Sequence, residues 1–206
     1  MASSEIELVY FDGKGRAEAG RLVLVAAGKQ FKDTRFSEKD WPKYKPQAPF
    51  GQAPFLIVDG VTYGQSLAIK NFLAREFGFY GQSNTESLLI DQLMNLLEDF
   101  TNVCVPIVEI EDEEKQKKEI ARVKADVSPR YLGYLERLLK ENGTGYFAGN
   151  RLTLADIAAF DLVTGMLENY VDVDKDKYPL LHKNVAIVNS HDKIGPYIKS
   201  RPITPY

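Results

Sequence analysis

The sequence predicts an α/β domain followed by an all-α domain. Three features predict it. Residues 6–36 read strand, helix, strand, the pattern of a parallel pair joined by a crossover helix. Residues 55–77 read as a hairpin that feeds a helix. Beyond Thr85 strand signals almost vanish, and apolar residues recur at helical spacing. The expected boundaries are an α/β domain over 1–79, a linker at 80–86 and a helical domain over 87–206.

Ile6-Glu7-Leu8-Val9-Tyr10 alternates and reads as a strand. Asp12-Gly13-Lys14-Gly15 breaks it. Arg16 to Ala27 reads as a helix with Leu22, Val23 and Ala26 inside and Gly28 as its stop. Phe31 to Phe36 is the second strand. Trp41-Pro42-Lys43-Tyr44-Lys45-Pro46 reads as short and irregular. The run Phe55 to Val58 is a buried strand, Asp59-Gly60 a tight turn whose central residues need positive φ, and Val61-Thr62-Tyr63 the return strand. Ser66 stands at a helix start, with Ile69, Phe72, Leu73 and Phe77 behind it.

Gly78 to Thr85 reads as a linker. Thr85 is the expected cap of a long helix carrying Leu89, Leu93, Leu97, Phe100, Cys104 and Val108 on one face, bent or ended by Pro106. Glu111 to Glu119 mixes signs and reads as a solvated helix face. Ile120, Val123, Val127, Tyr131, Leu135 and Leu138 continue a helical stripe, and Pro129 predicts a kink. Asn142-Gly143-Thr144-Gly145 is a turn. Thr153-Leu154-Ala155-Asp156 is a capping box, read as structural. Helices follow near 154–170 and 179–190, with a short one near 196–199.

The totals narrow the function. Hydrophobic content of 44% and charged content of 27% describe a globular chain. A net charge of −3 argues against nucleic acid or an anionic membrane as the main partner. One cysteine, Cys104, leaves no internal disulfide, no Cys-x-x-Cys pair and no cysteine-built zinc site. The two histidines, His182 and His191, are too few and too late in the chain for a histidine metal centre, so no metal is expected. Met1-Ala2-Ser3-Ser4-Glu5 has neither a basic region nor an apolar run, so the expected location is the reducing cytoplasm.

Two stretches carry chemistry. Ala53-Pro54 enters a strand at a proline able to hold a cis bond, which would turn the Ala53 peptide out to pair with a guest backbone. Gln65, Ser66 and the first helical N–H groups form a positive helix terminus suited to a carboxylate. A guest between them would be a small peptide-like acid; the plainer alternative is an ordinary hairpin before an ordinary helix. Tyr10 ends the first strand, where open α/β sheets bind ligands, and Arg16 begins the next helix. A phenol there can donate to a thiolate, and a nearby cation favours charge. Spacing alone favours a half-buried strand aromatic and a surface cation. Gly13-Lys14-Gly15 is too short for a phosphate loop.

Tyr10-Phe11-Asp12-Gly13-Lys14-Gly15-Arg16-Ala17-Glu18 resembles the start of a sigma-class glutathione S-transferase. So do Asp40-Trp41-Pro42, Pro49-Phe50-Gly51-Gln52-Ala53-Pro54, Gln65-Ser66-Leu67-Ala68-Ile69, Gly149 through Asp156, and Arg201-Pro202. The resemblance spans nearly the whole chain. It implies a thioredoxin-like first domain, a helical second domain that contributes the electrophile site and dimer contacts, and a homodimer. It implies catalysis of glutathione attack on small apolar electrophiles. By matching position, Tyr10 stabilises the glutathione thiolate and Arg16 tunes it. Trp41 and Lys45 hold the glycine end; Gln52 and the Ala53 backbone, beside Gly51 and Pro54, pair with the cysteinyl peptide. Gln65 and Ser66 hold the γ-glutamyl carboxylate. Asp99 matches a residue that reaches the partner subunit's glutathione, or is a solvated helix carboxylate.

Some sigma-class members make prostaglandin D2 and bind a divalent cation on the long helix. The matching positions here read Asn95, Glu98 and Asp99, and Asn95 replaces an acid, which argues against the cation. Two other classes stay open at this point. One is a lens-crystallin relative with little activity, although the insertion such relatives often carry is not evident between Glu111 and Gly149. The other is a carrier of apolar ligands.

Overall fold

A computed structural model describes residues 5–204; residues 1–4, read above for a leader, and 205–206 lie outside the described residues. The chain divides into two compact units, one of Met1–Phe79 with His191–Tyr206 and one of Tyr80–Ser190.

In the first unit, β1 (Ile6–Phe11) leads through a 3-10 turn (Gly15–Ala17) into α1 (Glu18–Ala27), β2 (Lys32–Phe36), the helical turn α2 (Trp41–Tyr44), β3 (Phe55–Val58), β4 (Val61–Gly64) and α3 (Ser66–Glu76). The sheet order is β2-β1-β3-β4. β1 and β2 are parallel, as the crossover helix predicts, and the other two pairs are antiparallel. Asp59 and Gly60 take φ of 50° and 82°, the left-handed pair the hairpin requires. The stretch expected to be irregular is instead ordered: α2 sits between 3-10 turns at Glu38–Asp40 and Lys45–Gln47. Pro42 lies in the first turn of α2, where a missing N–H costs nothing.

The alternation along β1 feeds two cores. Leu8 faces α1 and α3: a Cβ on Gly20 of α1 would meet Leu73 and Leu8 at 3.6 and 3.9 Å. Val9 points to the other face, into a cluster with Phe36, Ala48 and Phe55 that Phe11, Trp41 and Tyr44 cover. The Phe36 ring stacks on Trp41 and Tyr44 with centroids 5.6 and 4.4 Å away.

The second unit holds α4 (Asn84–Val108), α5 (Glu113–Arg122), α6 (Ser128–Asn142), α7 (Leu154–Thr164) and α8 (Pro179–Asn189). Ser83, not Thr85, caps α4: its hydroxyl accepts the Glu86 N–H at 3.1 Å, and the Glu86 carboxylate takes the Gln82 N–H at 2.8 Å. The cap fell two residues earlier because Ser83-Asn84-Thr85-Glu86 is itself a capping-box pattern. The buried stripe turns accordingly: Ile90 and Ile107 are inside, and Val108 is exposed. Pro129 does not kink α6. It sits in the first turn, and the ladder widens into a π-type turn (Val123–Val127) before it, where the proline ring would crowd a carbonyl. α5 buries no residue, as its mixed charges predict. α7 stops at Thr164, before Gly165, a poor helix former, and only a 3-10 turn (Glu168–Tyr170) resumes. The capping box forms in full, and Asp156 also accepts from the Phe147 N–H at 3.0 Å and Asn184 at 2.8 Å.

The last helix, α9 (Ile194–Ser200), belongs to the first unit, so the expected helical domain to 206 is cut at His191. The cause is a buried acid on α1. Glu18 accepts from Tyr197 at 3.1 Å and from Arg201 at 2.9 Å, and α9 packs on α1. No described helix is long and apolar enough to cross a membrane.

Candidate functional site

Tyr10 is the next-to-last residue of β1 and is 8% exposed. Its phenol oxygen accepts the backbone N–H of Arg16 at 3.2 Å. The loop between them lies tight against the ring. Gly15 has φ +42°, and a Cβ there would fall 2.5 Å from the phenol oxygen, so only glycine fits. A hydroxyl that accepts one N–H can still donate its proton outward.

The aromatic cluster ties Tyr10 to the next candidate. Phe11 lies edge-on to Tyr10 at 5.5 Å and 5.5 Å from Trp41. Lys45 is exposed and opens the 3-10 turn after α2. Its Cε would lie 3.6 Å from a Cβ on Gly51, so the stem passes over that glycine. Gly51 turns at φ +62° and donates its N–H to Ala48. Gln52 follows, and Ala53-Pro54 is cis. Sheet pairing begins only at Phe55, which stands opposite Val9, so Ala53 and Pro54 lie outside the ladder at the Tyr10 end of the sheet.

Gln65 precedes α3 at φ +72°, a left-handed value rare outside glycine and asparagine. Such strain, of order 1–3 kcal/mol, concentrates at ligand clamps. The Gln65 side-chain amide Nε2 donates to the side-chain oxygen Oε1 of Gln52 at 3.4 Å, so the two glutamines share one edge of the unit. No side chain caps α3 at this end, and Ser66 is its first residue. The terminus therefore keeps its positive character for an anion.

The structure thus gathers Tyr10, Arg16, Trp41, Lys45, Gly51, Gln52, Ala53, Pro54, Gln65 and Ser66 in one unit, linked by rings, glycine turns and the sheet register. Asp99 is in the other unit. It is exposed on α4, beside a hollow of about 440 Å³ that Asn95, Leu96, Tyr134 and Arg137 also line. Among the described residues no three His, Cys, Asp or Glu side chains are grouped as for a metal ion.

Sequence reasoning missed Glu18 and Arg21. Both are fully buried on α1; Arg21 bonds the loop that carries Gly15, and Glu18 pairs with Arg21. The signal was present: two opposite charges three residues apart on an otherwise apolar helix. It also missed the apolar hollow of about 660 Å³ between the hairpin and α3, lined by Pro49, Phe50, Leu56, Tyr63, Ile69 and Phe72 among others.

Residues 6–75 match the family profile described as glutathione S-transferase, N-terminal domain, and residues 98–201 match the corresponding C-terminal domain. The chain is 34% identical to Glutathione S-transferase 1 of Ascaris suum over 98% of this chain and 99% of that protein. Among solved structures, a sigma class transferase of Fasciola hepatica is similar at TM-score 0.88 and 31% identity, covering 99% of this chain and 100% of that one. A structure titled prostaglandin synthase D of Nilaparvata lugens is similar at TM-score 0.87 and 30% identity, covering 97% and 100%. With both domain profiles matched in order and relatives aligned end to end, the chain belongs to the glutathione S-transferase family.

Proposed function

We propose that this protein conjugates reduced glutathione to small apolar electrophiles, as a sigma-class transferase of the cytoplasm that works as a homodimer. The observation that carries the reading is the Tyr10 hydroxyl, fixed by the Arg16 N–H over a loop that only Gly15 permits. A free thiol is mostly protonated near neutral pH, and the thiolate is the nucleophile. Tyr10 donates to the bound sulfur and favours its anion; each pKa unit removed corresponds to about 1.4 kcal/mol. The thiolate attacks an electrophilic carbon, a sulfur–carbon bond forms, and the leaving group departs with its electron pair. The peptide lies along the edge between Trp41 and Ser66. Trp41 and Lys45 face its glycine carboxylate, Gln52 and the Ala53 backbone meet its cysteinyl peptide, and Gln65, Ser66 and the α3 terminus take the γ-glutamyl carboxylate. Asp99 reaches the glutathione of the other subunit.

The exposed apolar face around Phe50, Val61, Tyr63 and Phe72 supports the homodimer, because faces of this kind mark association sites. The single, buried cysteine supports a reducing compartment. Isomerisation of prostaglandin H2 to D2 is a second reading, supported by the likeness to the prostaglandin synthase D structure.

The test is the rate with glutathione and a chlorinated nitrobenzene. Tyr10→Phe is expected to cut kcat by about tenfold or more while retention on immobilised glutathione persists. An unchanged rate would remove Tyr10 from its role.

A further inference from the structure

Arg21 heads the largest fully buried side chains of the described protein. Its Nη1 donates to the Gly13 carbonyl at 2.7 Å and the Lys14 carbonyl at 3.4 Å, and lies 3.0 Å from Glu18 Oε2. Its Nε donates to Asp33 at 2.9 Å. Glu18 is equally buried, and its other oxygen takes Tyr197 at 3.1 Å and Arg201 at 2.9 Å. Asp33 is steadied in turn by Arg35 at 2.8 Å. The Tyr197 hydroxyl is pushed well above its ordinary range by burial and the Glu18 charge, so it stays a donor.

Burying an ion pair is expensive, and well-packed apolar residues often serve stability as well. The contacts on Arg21 show what else it does. Gly13 and Lys14 are the two residues before Gly15, and the next N–H, that of Arg16, is the one on the Tyr10 hydroxyl. A loop with no room at Gly15 cannot shift without moving that N–H.

We propose that Arg21 is a positioning residue for Tyr10, and that the C-terminal helix completes its mount through Tyr197 and Arg201 on Glu18. This rests on the role of Tyr10 given above. The tail of the chain therefore sets how far the bound thiol ionises, although it sits 183 residues from Glu18 in sequence. Loss of Arg201 or Tyr197 lets Glu18 swing, Arg21 loosens its hold on the two carbonyls, and the Tyr10 hydroxyl loses its fixed aim.

The experiment follows the ultraviolet absorbance of enzyme-bound thiolate against pH in Arg201→Gln, Arg201→Lys, Tyr197→Phe and Arg21→Lys, with circular dichroism to verify folding. Arg201→Gln and Arg21→Lys are expected to raise the ionisation midpoint by about half a pH unit or more, roughly threefold less thiolate near neutrality, with retention on immobilised glutathione kept. Tyr197→Phe is expected to shift it the same way, and Arg201→Lys to restore most of the effect. In a Tyr10→Phe background, Arg201→Gln is expected to add almost nothing, because it acts through that hydroxyl. Wild-type midpoints in folded Arg201→Gln and Tyr197→Phe overturn the proposal, as does a full extra shift without the phenol. If Arg21→Lys does not fold, those two variants decide. If Tyr10→Phe shifts the midpoint and the mount variants do not, the mount alone is wrong. If Tyr10→Phe shifts nothing, both readings fall.

Discussion

The Arg16 N–H meets the Tyr10 hydroxyl at 3.2 Å across a single glycine. Gly15 therefore carries two demands at once, a left-handed backbone and an empty space where a Cβ would lie 2.5 Å from that oxygen. Gly15→Ala must push the loop off the phenol or the phenol out of its seat. A displacement near 1 Å at a reacting group costs on the order of 100-fold. We expect kcat/KM to fall by about 10- to 100-fold and stability by about 1–3 kcal/mol. Steady-state rates and urea unfolding check both, and a variant with wild-type rates would show that the loop is not tied to the phenol.

The Phe50 ring predicts the oligomeric state. It is 64% exposed, yet it is held in place: a Cβ on Gly64 would lie 2.8 Å from its edge. In the proposed homodimer, this exposed aromatic beside an apolar hollow is the expected anchor. Phe50→Asp is expected to weaken self-association by about 100-fold or more, as loss of a central aromatic anchor does. Sedimentation velocity at micromolar protein reads this directly. A folded variant that stays dimeric would place the interface elsewhere.

Ser83 and Thr85 separate two accounts of where α4 begins. Ser83 bonds the Glu86 N–H, and Thr85 lies within the first turn. Ser83→Ala is expected to cost about 1 kcal/mol and Thr85→Ala nothing, or to gain a few tenths because alanine is the better helix former, by urea midpoints. Equal costs would return the cap to Thr85.

What the sequence made legible was what neighbours in sequence decide. Asp59-Gly60 names its turn because positive φ is a local requirement. The order strand, helix, strand implied a parallel pair because a crossover leaves few alternatives. The candidate residues from Tyr10 to Ser66 fall within short motifs, and seven of the ten lie within two residues of an end of β1, α2, β3 or α3. What stayed hidden depends on distant partners. Glu18 and Arg21 look like surface charges until Asp33, Tyr197 and Arg201 are brought to them. The tail was assigned to the helical domain for the same reason: its helix was legible, and its partner was not.

Cys104 gives a pH prediction with a definite sign. It is fully buried on α4, and burial pushes its thiol from 9.0 up to about 12. The folded protein therefore holds this proton more tightly than the unfolded chain. Its contribution is whole below the unfolded value and drains away as pH rises from about 9 toward 12. Cys104→Ala removes that dependence at the cost of a small cavity. The wild type is expected to lose about 2 kcal/mol relative to Cys104→Ala between pH 8 and 10.5, by urea unfolding. The same burial leaves the native thiol nearly inert at pH 8, with a thiolate fraction about 1000-fold below that of a free cysteine. A chromogenic disulfide reagent should label it only on unfolding. Rapid labelling of native protein would mean that α4 opens locally around Cys104 far more often than a closed core allows.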